Sequence, residues 1–157
     1  ERDALMEDAE RRELTNVIFM EPQSKQLMPA VWSLCQVALV HLRNSPTFED
    51  VIPSKMFEAM GMGLPIILAL PSGEARGILE TDGVGIYVPP EEPVALATAV
   101  THLADQPNLY REFCRKSLAA APRYSREKQA DQMIKVLKTV VDGKGDDVTE
   151  IPISDSH

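Results

Sequence analysis

Apolar positions along the chain follow two rhythms. Four segments are short, nearly continuous apolar runs: residues 16–20 (NVIFM), 37–42 (VALVHL), 65–70 (PIILAL) and 85–88 (GIYV). Runs of this length, rich in β-branched residues and bounded by Gly, Pro or polar clusters, predict buried strands. Elsewhere apolar residues recur every three or four positions, which predicts helices. The first helix covers residues 1–14, with Leu5, Ala9 and Leu14 on one stripe. Ser24 is placed to cap a second through residue 34, with Leu27, Val31 and Leu34 on one face. Pro53-Ser54 opens a third, which stops at Gly63, and Pro71-Ser72-Gly73 precedes a fourth to about Asp82. Pro93 suits the first turn of a fifth, striped by Leu96, Val100 and Leu103, and Pro107 starts a sixth to about Ala121. Ser125 caps a last helix, with Met133, Leu137, Val140 and Val141 facing inward. From Gly143 the periodicity is lost, which predicts a disordered tail.

Continuous apolar strands alternating with helices predict an α/β fold: a Rossmann-like parallel sheet with helices on both faces. Such sheets bind ligands outside the carboxyl ends of their strands. The loops at 42–53, 70–73 and 88–92 are the ones so placed.

Composition narrows the class. With 157 residues, 44% of them hydrophobic and 25% charged, the chain is expected to form one soluble domain over residues 1–141. No apolar run approaches the roughly 18 residues of a membrane span, and no charged-then-apolar leader opens the chain. Net charge is −8, and residues 142–157, with five acids and one base, hold half of it. That balance argues against binding a nucleic-acid backbone. Cys35 and Cys114 lie far apart in apolar surroundings and read as reduced thiols, which points to the cytoplasm. The histidines are scattered, so no metal site is expected. There is no GxGxxG and no Walker loop, yet six of the eight glycines fall within residues 61–85.

Chemistry concentrates between Val37 and Glu80. The helix starting at Ser54 aims free backbone N–H groups and a positive dipole end at the predicted crevice, a natural seat for phosphate. Lys55 adds a positive charge. Glu58, one turn on, offers a carboxylate that can accept hydrogen bonds from vicinal hydroxyls, as on a ribose. Asp50 supplies a second carboxylate from the preceding loop. Phosphate donors beside a hydroxyl acceptor make a nucleotide-shaped site. The same residues equally describe a capped helix with solvated charges, and the residue types alone leave both readings open.

The stretch PSKMFEAMGMGLPIILALPSGE, residues 53–74, closely resembles the donor-binding motif of retaining glycosyltransferases with the GT-B fold. These are the group-1 type (glycosyltransferase family 4), and the likeness is to the polysaccharide-synthesis branch. The opening ERDAL and the stretch from Gly83 to Pro90 fit the same C-terminal domain, so the resemblance covers about residues 1–140. It implies a donor-binding half-molecule, taking a nucleotide diphosphate sugar, first of all a uridine diphosphate sugar, as substrate and needing no separate cofactor. The family's two glutamates, the carboxylates in contact with the donor, fall on Asp50 and Glu58. Glu58 would hold the ribose. Asp50 replaces the glutamate that touches the transferred sugar, with Glu49 adjacent. Ser54 and Lys55 match the amides that cradle the diphosphate, and His41 and Arg43 end the strand facing the donor. Gly73 and Glu74 match a Gly-Glu pair at the next crevice loop.

The resemblance also implies what is missing: the acceptor domain and the first two strands of the donor sheet, which would sit between residues 16–20 and 37–42. An N-terminal acceptor domain, or self-association through exposed sheet edges, is therefore an expected partner, and no nucleic acid is. The chain alone is expected to be inactive, and the whole enzyme to be cytoplasmic and peripheral to the inner membrane. A nucleotide-sugar epimerase of the same fold, or a noncatalytic α/β interaction module, are the alternatives.

Overall fold

The computed structural model describes residues 2–142, so the expected tail from residue 143 onward lies outside the described residues. The described chain divides into two compact units, one ending at Leu34 and the other beginning at Cys35.

The first unit contains helices α1 (Arg2–Arg11) and α2 (Met28–Trp32). Asp8 braces α1 through Arg12 at 2.8 Å, one helical turn away, and Arg2 reaches Glu21 at 2.8 Å beyond the helix end. Two expectations fail here. Residues 16–20 form no strand; Val17, Ile18 and Met20 are exposed. A strand exists only by pairing, and this unit offers no neighbouring strand. The helix expected from Ser24 shrinks to five residues and has no side-chain cap, and Leu27 and Leu34 face solvent. The helix begins at Met28 rather than at Ser24, with Pro29 in its first turn, where a missing N–H costs nothing.

The second unit carries the sheet. Strands β1 (Ala38–His41), β2 (Ile66–Ala69) and β3 (Gly85–Val88) run parallel in that order, with Ala38 opposite Ile66 and Ile66 opposite Gly85. The crossovers carry α3 (Ser54–Gly61) and α4 (Glu74–Asp82). Then follow α5 (Pro93–Asp105), α6 (Pro107–Ala120), a 3-10 turn at Ala121–Tyr124 and α7 (Arg126–Val141). This is the expected Rossmann-like architecture. The outer edge of β1 pairs with no described strand.

Alternation along the strands divides the core between two faces. On one, Ile67, Ala69 and Val88 pack with Ala99 and Leu103 of α5. On the other, Ala38, Val40, Ile66 and Leu68 are buried, and α3 and α4 cover that face with Met56, Ala59, Met60, Ala75 and Leu79. Each such Leu, Ile or Met contributes about 1.5–3 kcal/mol by leaving water. Burial on both faces explains why β2 is written as an unbroken apolar run. Helix α6 packs against α3, α4 and α5. Its fully buried Ser117 donates from Oγ to the Leu64 carbonyl oxygen at 2.9 Å, binding α6 to the chain just before β2.

Ser125 caps α7 as expected, its Oγ accepting from the Lys128 N–H at 3.2 Å. The stripe behind that cap does not turn inward. Met133, Leu137, Val140 and Val141 are exposed, Val141 by 83%. Periodicity identifies an apolar stripe but does not say what covers it.

Candidate functional site

Packing on the sheet sets the rotation of α3. Met56, Ala59 and Met60 are fully buried, which turns Ser54, Lys55 and Glu58 to the opposite, exposed side. Their spacing of three and four residues puts them on one face. Pro53 precedes the helix in an extended conformation and provides no side-chain cap. The first amides of a helix lack intrahelical partners, so those of Ser54 and Lys55 lie at its positive end. The structure thus brings together three of the expected donor residues.

Gly73 is the residue before α4. A Cβ built on it would lie 1.8 Å from the Glu49 carbonyl oxygen. The β2–α4 loop therefore rests directly on the β1–α3 loop at Glu49, next to Asp50, and only glycine permits the contact. Glu74 occupies the first turn of α4, where its charge also favours that helix's own N-terminus.

His41 and Arg43 stand elsewhere. They line a cavity of about 300 Å³ on the α5 side of the sheet, with Leu39, Glu91, Glu92 and Leu96 among its walls. None of Asp50, Ser54, Lys55, Glu58, Gly73 and Glu74 lines it. A larger depression, about 620 Å³, runs along α5 past Thr101, His102 and Asp105. It is walled by one helix alone and holds none of the residues expected from the sequence.

Sequence reasoning missed several residues around these loops. Arg76 lies over the Tyr87 ring at 4.3 Å and bonds Glu80 at 2.7 Å, and this bond raises its pKa. The Tyr87 hydroxyl donates to the Leu70 carbonyl at 3.1 Å, at the head of the β2–α4 loop. The i,i+4 spacing of Arg76 and Glu80 was a readable signal; the ring contact was not. Tyr124 stacks on Phe57 of α3 with centroids 4.8 Å apart, and its hydroxyl donates to Asp82 at 2.8 Å. Burial, then the Asp82 carboxylate, pushes the Tyr124 phenol up to about 12. Arg123 pairs with the same carboxylate. Glu91 adopts a left-handed backbone, with φ of 62°, and its Oε1 accepts from the Asn44 N–H at 3.1 Å. Among the described residues no group of three or more His, Cys, Asp or Glu could hold a metal ion, and no helix is long and apolar enough to cross a membrane.

Two comparisons bear on this arrangement. The family model described as glycosyl transferases group 1 matches residues 1–106, which include all three strands and both crossover helices. Over 72 residues the chain is 35% identical to the probable glycosyltransferase WbjE of Pseudomonas aeruginosa. That match takes in 45% of this chain and 18% of the relative's length. With a parallel α/β sheet and a family match across two thirds of its residues, the chain belongs to the group 1 glycosyl transferases.

Proposed function

We propose that this chain is the donor-binding part of an enzyme that transfers a sugar from a nucleotide diphosphate sugar to a saccharide or lipid-linked acceptor. The observation that carries the reading is the exposed face of Ser54, Lys55 and Glu58 at the start of α3. The amides of Ser54 and Lys55 and the helix dipole would hold the diphosphate, with the Lys55 ammonium adding charge. The Glu58 carboxylate would accept from the ribose hydroxyls, and Asp50 from hydroxyls of the sugar. Stabilising the departing diphosphate lowers the barrier to breaking the glycosidic bond. Holding the acceptor on the same side of the sugar favours retention of configuration.

A uridine diphosphate sugar is the first choice of donor, following the resemblance of residues 53–74 to family 4 enzymes of polysaccharide synthesis. The remainder of the machinery, including the acceptor domain, would come from outside this chain, so the chain alone is proposed to lack transferase activity. The edge of β1 that pairs with no described strand is where an additional strand, from that polypeptide or a second copy, would join. We place the whole enzyme in the cytoplasm, at the inner membrane surface. Saturation-transfer NMR against a panel of uridine, guanosine and thymidine diphosphate sugars tests the donor class. Enhancement confined to uridine diphosphate sugars supports the reading, and no enhancement from any of them at millimolar concentration overturns it.

A further inference from the structure

The loop between β1 and α3 carries Asp50 and delivers the chain to Ser54, yet it has little regular structure of its own: one 3-10 turn at Pro46–Phe48. Two neighbouring loops hold it. At Glu49 the backbone of Gly73 rests against its carbonyl. At Asn44 its N–H donates to Glu91, 47 residues further along the chain, at 3.1 Å. The three loops at the carboxyl edge of the sheet are thereby interlocked.

Glu91 makes this contact from an unfavourable position. Its φ of 62° puts a side chain where Cβ crowds the backbone, a conformation that glycine adopts freely. Glycine at 91 would relieve that crowding. It would also leave the Asn44 amide without its carboxylate partner. The side chain is exposed, so burial does not account for its presence.

We propose that Glu91 is a positioning residue: by clasping Asn44 it fixes the β1–α3 loop and so sets where the Glu49–Asp50 carboxylates stand toward the sugar of the donor. This rests on the donor-binding reading and deepens it. Glu91 acts through the loop and does not touch the diphosphate seat on α3. Its loss should therefore weaken the sugar-dependent part of binding and spare the nucleotide part.

The test compares the full 157-residue chain with Glu91→Gly and Glu91→Gln. Three readouts are taken: amide exchange at Asn44, thermal melting, and affinity for uridine diphosphate and for uridine diphosphate N-acetylglucosamine. Glu91→Gly is expected to melt at or above the wild-type temperature, because it removes the crowded backbone. It should exchange the Asn44 amide about tenfold faster. It should lose about fivefold in affinity for the nucleotide sugar while uridine diphosphate binding stays within about twofold. Glu91→Gln retains an amide oxygen that can accept the same bond and should match wild type throughout. Unchanged Asn44 exchange in Glu91→Gly overturns the clasp. Equal loss of both ligands, or equal wild-type affinity for both, overturns the sugar-positioning role. A wild-type chain that binds neither ligand overturns the donor reading and this role with it, while Asn44 exchange still judges the clasp by itself.

Discussion

Replacing Gly73 by alanine puts a single methyl group where the Glu49 carbonyl oxygen now lies. The added Cβ would stand 1.8 Å from that oxygen and 2.8 Å from its carbon, while real Cβ atoms essentially never come within 3.0 Å of such a neighbour. The obstruction is backbone, so no rotamer change relieves it. Either the loop at Glu49 or the start of α4 must move by about 1.2 Å to bring the 1.8 Å separation out to 3.0 Å. The φ of Gly73 is −170°, extended backbone open to any residue, so the whole cost is steric. Overpacking of this kind costs about 1–3 kcal/mol. Gly77, inside α4, is the control: nothing lies within 4 Å of its added Cβ, and alanine there should stabilise by about 0.5–1 kcal/mol through helix propensity. Urea unfolding of both variants measures the two effects, and a uridine diphosphate titration follows the site. Gly73→Ala should lose stability and nucleotide affinity while Gly77→Ala gains stability and keeps affinity. If Gly73→Ala unfolds within about 0.5 kcal/mol of wild type and binds nucleotide unchanged, the interlock of the two crevice loops is wrong.

Ser117→Ala strands the Leu64 carbonyl in the core and should cost about 1–2 kcal/mol in urea unfolding, whereas an effect below about 0.3 kcal/mol would deny that bond a structural role. Tyr124 has a folded-state pKa raised to about 12, against about 10 for the unfolded chain, so the native state holds its proton longer. The stability it contributes is complete below pH 10 and is lost as pH rises toward 12; unfolding curves should show that fall, and Tyr124→Phe should flatten it. Leu79→Ala should cost about 2–5 kcal/mol, because Leu79 is 1% exposed beneath the sheet, while Leu137→Ala on the open stripe of α7 should cost less than about 0.5 kcal/mol.

Much of the second unit was legible in the sequence because its elements carry local marks. Pro93 and Pro107 open α5 and α6 where a missing N–H costs nothing, and Ser125 caps α7 with its own oxygen. The apolar run at 65–70 announced a strand buried on both faces, and β2 is that strand. The failures share one cause. Residues 16–20 have the composition of a strand, and Leu137 sits on a proper stripe, but pairing and cover come from other parts of a structure. The α3 face was readable because alternation of Met56, Ala59 and Met60 with Ser54, Lys55 and Glu58 fixes the helix rotation. The contacts between loops were not. Nothing local to Gly73 points to Glu49, and Glu91 meets Asn44 across the end of β2, which lies between the strands that their loops follow. His41 ends β1 and Arg43 follows two residues later, but the sequence could not tell which side of the sheet their cavity occupies.

The proposed seat for a nucleotide diphosphate is the exposed face of α3. Calorimetric titration of uridine diphosphate into the wild-type chain and Glu58→Ala tests it most directly. Glu58 is exposed, so its removal should leave the fold intact, to be checked by an unchanged melting temperature. Wild type is expected to bind, and Glu58→Ala about tenfold or more weakly, through the loss of its bonds to the ribose hydroxyls. Absence of wild-type binding at millimolar nucleotide, or equal affinity in the two proteins, would contradict the proposal.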